Sequence, residues 1–510
     1  MNMNIRYRAT SPRGPSSTRM KVEGEGEGEG RAPRTLENTS PKSNYRCRSA
    51  FLSSFCRQCY IILGISFIVV FSWKKLRMFM FHPSINQVAQ QPSIQEVNNV
   101  DTTMLIPKAR PSRKIVLLGP HDRYNFGDLI FTAVVAKLLV SRAGFSPDDL
   151  LFGGLITVNM TKYGGYNILS MKQIQALSQQ DAVHGPYDII YLGGEAVGCS
   201  FDGAVNMLPE AQMKSEARRD KIHECPYLTP KHLLLPPTSK KDGTFQIRNY
   251  AVINSMGGTA SNACKESIDT ADYVAYRDKD PLFPDSAVMI KELYHDKISK
   301  AAEEVMQDLF PSGLNTRQKI IAVQHRSMGK KKDQLEFALA LDEVSIRTGG
   351  NSIIVFFAAG TVPGHDSFND YKQIAQLMNE PSIVYEVENM WKVVGLISQA
   401  EAVLSTSLHV RIMAFIYARP RLTWCGHSNP KHPRFIALWD TDESPGCLKN
   451  KSETWSVLER YYGANPDITQ AATAVAYEKT VQEYVESFDS WSSLVGWKRS
   501  ARSSPSQVIR

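Results

Sequence analysis

Five short segments carry the residue types best suited to chemistry. The first is Gly119-Pro-His-Asp-Arg-Tyr-Asn-Phe-Gly-Asp128. Glycines there let the backbone turn and approach a ligand, and a helix start behind the turn favours anions. Asn125 and Asp128 are its polar candidates, with Asp128 at the expected helix cap. A plain capped strand-to-helix turn fits the same residues. The second is Leu192-Gly193-Gly194-Glu195, a strand ending in two glycines before an acid. It suits a loop facing a sugar or phosphate, and equally an ordinary tight turn. The third is Tyr276-Arg-Asp-Lys-Asp280. Arg277 at a strand end would clamp a phosphate or carboxylate with two N–H groups; on a surface turn it would pair with Asp278.

The fourth segment, Ala322-Val-Gln-His-Arg326, leads a strand into His325 and Arg326, beside the solvated run Lys330 to Lys332. The fifth is Val403 to Pro420, in which a strand ends at Ser405 and an apolar helix follows. Ser407, Leu408 and His409 sit at its start. An imidazole titrates near neutrality and can move protons, while free first-turn amides favour an anion. A core or capping histidine is the competing reading. Beyond the strand Leu422 to Trp424, Asn429-Pro-Lys431-His432 would bring Lys431 back to the same place.

The elements that must position these residues repeat one pattern. Ile115 to Leu118, Tyr187 to Leu192, Tyr250 to Ser255, Lys319 to Val323, Ser352 to Phe357, Ile383 to Tyr385 and Ala402 to Leu404 are short runs of buried type. Several lead into helical stretches, such as Asp128 to Val140. Apolar strands alternating with helices mean parallel sheets covered on both faces, with ligands at the carboxyl ends of the strands. The expected fold class is α/β, with two Rossmann-like lobes facing a cleft: residues 113–280, then 281–450 with the donor site. A helical segment and tail, 451–510, follows, and its helical part, about 451–490, is expected to pack back across the lobes.

Ahead of the lobes, residues 1–57 are rich in Ser, Pro, Arg and Gly and read as a disordered cytoplasmic tail. Residues 58–77 read as a single transmembrane signal anchor, and 78–112 as a stem linker. The apolar core, Cys59 to Trp73, spans only about 22 Å as a helix, so flanking Phe, Leu and Met must lengthen it. The apolar region of a cleaved signal peptide and a buried helix are the other readings. Formal net charge is +8, but residues 1–77 hold 14 Lys/Arg against 5 Asp/Glu, and the remainder holds 45 against 46. The body is thus nearly neutral, and no nucleic-acid partner is expected. Of eight cysteines, five follow the anchor: Cys199, Cys225, Cys264, Cys425 and Cys447. At most two disulfides can form among them, with one thiol left over. No metal site is expected, and His223-Glu-Cys225 reads as loop.

Taken in order, Asn125 to Asp128, Leu192 to Gly194, Tyr276 to Lys279, Ser405 to His409, the helix ending in Arg419-Pro420, and Asn429 to Lys431 resemble the polysaccharide pyruvyl transferase family. The likeness covers about residues 114–435. It implies a two-lobed fold similar to glycosyltransferases of type B, and some eukaryotic members look like Golgi type II membrane proteins with a lumenal body. It implies phosphoenolpyruvate as donor, no separate cofactor, and a glycan hydroxyl acceptor on a hexose such as galactose. Arg277, His409 and Lys431 match positions that bind the donor, and Leu408 would support the wall. His409 is then expected to transfer the proton, with Asp128 or Glu195 handling the acceptor hydroxyl. Members often carry Arg before Leu-His, where this chain has Ser407, and a third Gly where it has Glu195. A nucleotide-sugar glycosyltransferase and an inactive, membrane-bound glycan-binding relative are the alternatives.

Overall fold

A computed structural model describes residues 113–180, 187–234, 249–313, 318–425, 430–441, 446–463 and 466–497, all within one compact unit, Leu105–Arg510. The expected tail, anchor and stem lie outside the described residues, as does Asn429. Among the described residues no helix is long and apolar enough to cross a membrane.

Four consecutive aliphatic residues with no polar face can sit only where both faces of a sheet are covered. Strand β1 (Ile115–Leu118) does so, fully buried at the centre of a seven-stranded sheet. Its companions are β2 (Leu150–Gly154), β3 (Val158–Asn159), β4 (Asn167–Ser170), β5 (Asp188–Tyr191), β6 (Ala251–Met256) and β7 (Tyr273–Tyr276). The order is β3-β4-β2-β1-β5-β6-β7, parallel except for the edge pair β3 and β4. A second sheet holds β8 (Lys319–Gln324), β9 (Ser352–Phe357), β10 (Ser382–Tyr385), β11 (Ala402–Ser405), β12 (Arg421–Trp424) and β13 (Cys447–Leu448). Its order is β10-β9-β8-β11-β12-β13, parallel throughout. The chain is thus α/β with two parallel sheets. Strands β3 and β13 have two residues each, and β2 ends in two glycines, so no apolar run announces them.

Helix α1 (Phe126–Leu138) is buried at every position except Lys137. A helix apolar on all sides must lie inside, and it packs among the turn Ser286–Met289 and helices α2 (Ile290–Leu309), α3 (Met390–Gln399) and α4 (Leu408–Ile416). Its cap is Asn125, whose side chain accepts from the Gly127 amide at 3.2 Å. Asp128 therefore is not the cap; it lies in the first turn, and its carboxylate faces elsewhere. Helix α5 (Lys431–Trp439) follows β12. Helix α6 (Pro466–Leu494) touches residues of both sheet regions. Its Tyr484 accepts from Asn254 Nδ2 at 3.2 Å, while Tyr477 meets Phe415 edge-on at 6.2 Å. Beyond the helix, Trp497 Nε1 donates to Asp188 at 3.0 Å.

Cys225 pairs with Cys264 and Cys425 with Cys447, leaving Cys199 free. Asn159 and Asn450, each in an Asn-X-Ser/Thr triplet, are exposed.

Beside the second sheet, Asp440 is buried between two guanidiniums. Arg411 Nη2 lies 2.8 Å from its Oδ2, and Arg421 Nη2 contacts its Oδ1. The two cations hold its carboxyl down at about 2, against an ordinary 3.8, despite burial. Asp440→Asn leaves two buried cations without counter-charge and is expected to cost about 3–5 kcal/mol in denaturant unfolding. Because the folded pKa is depressed, the contribution of Asp440 is present above about pH 4 and is lost as pH falls towards 2.

Candidate active site

The loops at the carboxyl ends of β1, β5, β7, β8, β9, β11 and β12 converge on a cleft of about 630 Å³. That is where parallel sheets place their chemistry. Both sheet regions contribute walls, and hydrogen bonds tie the two regions together. The Phe126 amide donates to Ala359 O at 2.8 Å, and Asn125 forms an antiparallel bridge with Gly360. Trp439 Nε1 donates to Arg277 O at 3.0 Å.

Arg277, His409, Lys431, Leu408, Ser407, Asn125, Asp128, Gly194, Glu195, His325 and Arg326 all line this cleft. Gly193 does not reach the wall. It has φ 125°, a conformation that suits glycine, and a side chain there would strike the Pro120 ring at 2.6 Å. Gly193 shapes the turn that presents Gly194 and Glu195 to the cleft.

At the centre, Arg277 Nη1 lies 2.9 Å from Asp285 Oδ2 and 3.4 Å from His409 Nε2. Asp285 is fully buried, and its other oxygen accepts from the Ala287 amide at 3.0 Å. With a guanidinium facing Nε2, the imidazole presents a lone pair there. The His409 ring is held edge-on by Phe131 at 5.3 Å. Burial first, then Arg277 and Lys431, push its pKa well below the ordinary value. In neutral solution His409 is therefore uncharged.

Two glycines make this contact possible. A Cβ on Gly127 would lie 2.0 Å from His409 Nδ1, and one on Gly257 would lie 2.5 Å from Arg277 Nε. The glycine of the N-F-G-D turn thus clears space for an imidazole from the other sheet region.

Around this centre the remaining groups are placed by specific partners. The Gly194 amide donates to Asp128 Oδ1 at 3.4 Å, and burial raises the Asp128 carboxyl to about 6. Lys431 Nζ lies 3.7 Å from Glu195 Oε2, and burial lowers its pKa. His325 packs between Phe337 and Trp424, and burial lowers it to about 4. Arg326 Nε donates to Gly364 O at 2.5 Å. Ser407 occupies the cap position of α4 without a side-chain bond to that helix.

Sequence reasoning missed Asp285, Arg123, Gln324, His365, Asp366, His432, Lys449 and Lys451, of which all but Asp285 line the cleft. Gln324 Oε1 accepts from the amides of Thr406 and Ser407 at 3.0 Å each, ahead of the helix that carries His409. Its Nε2 donates to Asp366 at 2.7 Å, and Asp366 also accepts from the Ala359 amide at 2.6 Å. Burial raises Asp366 to about 7. Gln324 and Arg123 sit inside motifs already quoted, at strand ends; Asp285, eight residues past Arg277, gave no sequence signal. No group of three or more His, Cys, Asp or Glu is placed to hold a metal among the described residues.

No family model matches the chain, and no curated protein matches it in sequence. Similar solved structures include the UDP-GlcNAc 2-epimerase from Neisseria meningitidis bound to UDP-GlcNAc, 11% identical, covering 73% of this chain and 100% of that one, TM-score 0.44. Phytolacca americana UGT2 complexed with UDP-2fluoro-glucose and pterostilbene is 11% identical over 74% and 100%, TM-score 0.40. The glycosyl transferase family 9 structure from Veillonella parvula is 10% identical over 73% and 99%, TM-score 0.32. Likenesses at this level carry no conclusion about activity.

Gly127→Ala and Gly257→Ala are expected to displace His409 and Arg277 while leaving the sheets intact. In whatever reaction the cleft performs, a displacement of about 1 Å corresponds to roughly 100-fold lower turnover. The check is activity beside a circular-dichroism spectrum and melting curve of each variant.

Proposed function

We propose that the chain is an enzyme acting on a sugar, and that it transfers pyruvate from phosphoenolpyruvate to two hydroxyls of a glycan hexose such as galactose. The observation that carries this reading is the charge of the cleft. Arg123, Arg277, Arg326, Lys431, Lys449 and Lys451 line it against the carboxyls of Asp128, Glu195 and Asp366, two of which are raised to about 6 and 7. Such a surplus of positive charge on the cleft wall, with Arg123 and Arg277 buried, suits a compact polyanion, and the donor carries both a phosphate and a carboxylate. The ordered motifs quoted above support the same choice.

In this reading the donor phosphate lies by Arg277, Lys431 and the first turn of α4, whose opening amides have no acceptor within the helix. Its negative charge offsets the two cations that depress His409, so the imidazole gains a proton as the donor binds. His409 then protonates the methylene carbon of the enol. A sugar hydroxyl adds to the neighbouring carbon, giving up its proton to Asp128. Phosphate leaves with the C–O bond electrons, stabilised by Arg277 and Lys431. The second hydroxyl closes the ketal, and its proton departs with phosphate.

A nucleotide-sugar glycosyltransferase is the second reading. It is favoured by two parallel sheets facing a cleft larger than the small donor needs, since fold alone does not select a chemistry. Two disulfides suit an oxidising compartment. With the anchor expected at 58–77, that supports a Golgi or other secretory-route membrane setting with the body lumenal.

The test is phosphate release from phosphoenolpyruvate by the full chain in detergent, with a panel of hexosides as acceptors. Acceptor-dependent release with a pyruvyl mass gain on the sugar is expected, and Arg277→Ala or His409→Ala should lower it about 100-fold or more. A folded protein that ignores phosphoenolpyruvate but transfers sugar from a uridine nucleotide establishes the second reading; binding of glycans without any turnover establishes an inactive relative.

The pH profile gives a separate check. A general base must be ionised, so the rate should rise with pH through about 6, where Asp128 titrates. Asp128→Asn should abolish that limb as well as lowering the maximum.

A further inference from the structure

We propose that Asn159 is a glycosylation site, taking an oligosaccharide on its side-chain nitrogen as the chain enters the secretory route; this rests on the lumenal setting given above. Asn-X-Ser/Thr triplets occur at Asn38-Thr-Ser40, Asn159-Met-Thr161 and Asn450-Lys-Ser452. Such a triplet with no proline at its centre is the acceptor signal. The first lies ahead of the expected anchor, on the expected cytoplasmic side. The other two belong to a body whose two disulfides suit the oxidising compartment in which the transfer takes place.

Transfer acts on the unfolded chain, so the folded structure bears on whether the product has room. At Asn159 it has. Strand β3 is an edge of the seven-stranded sheet and pairs only with β4. Met160, 1% exposed, anchors the turn after β3 from inside, while Asn159 and Thr161 on either side of it are exposed. The Met160 amide donates to Tyr166 O at 2.9 Å, and its carbonyl accepts from the Tyr163 and Gly165 amides at 3.0 Å each. Asn159 Oδ1 accepts from the Thr161 amide at 2.9 Å and from the Thr161 hydroxyl at 2.7 Å. The amide donor fixes which side-chain atom is the oxygen. Asn159 Nδ2 makes no hydrogen bond among the described residues. A sugar attached there leaves both Oδ1 bonds in place. Asn159 does not line the cleft, so the glycan leaves the cleft open. It also shields a sheet edge, where a further strand could otherwise add. Asn450 is placed differently. Its Nδ2 donates to Glu453 Oε1 at 2.8 Å, and it stands between Lys449 and Lys451, which line the cleft.

In the transfer, a bond forms between Asn159 Nδ2 and the anomeric carbon of an oligosaccharide carried on a lipid pyrophosphate. The bond from that carbon to the pyrophosphate oxygen breaks with its electron pair on oxygen. The proton lost by nitrogen goes with the leaving pyrophosphate.

The test expresses the full chain in a eukaryotic secretory host and compares its mobility on a denaturing gel before and after treatment with a peptide N-glycosidase. The readout is taken on denatured protein, so it does not require a variant to fold. The wild type is expected to shift on treatment, with the Asn159 side chain converted to a carboxylate in the peptide that carries it. Asn159→Gln and Thr161→Ala should each lose the mobility step of that glycan before treatment. Thr161→Ser preserves the triplet and should retain the step, and Asn450→Gln should leave the Asn159 glycan in place. The proposal is overturned if untreated Asn159→Gln migrates with the untreated wild type. An unmodified Asn159 overturns it alone if sealed vesicles shield the body from added protease, and together with the lumenal reading if they do not. A glycan at Asn38 in place of Asn159 marks an inverted chain and also overturns both.

Discussion

The structure around the cleft depends on one buried contact, a guanidinium set against an imidazole. Arg277 and His409 come from opposite sheet regions and meet at 3.4 Å. Two groups that can both be cationic tolerate that separation only if one stays neutral and the other has a counter-charge. Asp285 supplies the counter-charge at 2.9 Å from Arg277, and burial with the neighbouring cations keeps His409 neutral. The contact also demands space, which Gly127 and Gly257 provide by having no side chain. Residues from four separate stretches must therefore agree before the site exists.

Other ties make that agreement rigid. The start of α1 is stitched to the loop after β9 through Phe126, Asn125, Ala359 and Gly360. The same loop's Asp366 holds Gln324, and Gln324 holds the amides just before α4. One chain of hydrogen bonds thus runs from the helix that clears room for His409 to the helix that carries it. Burial of Asp366 is costly for its charged form, and three donors offset that cost. Helix α6 adds a clasp, with Tyr484 and Tyr477 reaching different sheet regions.

Much of this was legible because buried parallel strands have a plain signature. Runs such as Ile115–Leu118 and Ser352–Phe357 contain nothing that tolerates water, and their ends locate the loops. Most of the candidate residues do line one cleft, since loops after parallel strands have one place to go. What stayed hidden depended on partners far away in sequence. Asp285 looks like any turn aspartate until Arg277 folds against it. Gly127 reads as a turn glycine, yet its demand comes from a ring 282 positions later. Asp128 resembled a cap because it opens an apolar run, but Asn125 has the shorter reach to the Gly127 amide. Strands β3 and β13 are too short for any period to show.

The neutral His409 bears on how a proton can be delivered in such a site. An imidazole depressed by burial and by two cations is uncharged in neutral solution and has no acidic proton to lose to passing hydroxyls. In the proposed reaction the donor itself reverses this. Its phosphate brings negative charge beside Arg277 and Lys431, and the same electrostatics that held the proton off now favour it. The protonated imidazole is then populated only with the donor in place. An enol phosphate is stable until its carbon is protonated, so coupling protonation to occupancy confines the reaction to the filled cleft. In that proposed reaction the surplus of positive charge is half of a catalytic arrangement whose other half arrives with the substrate.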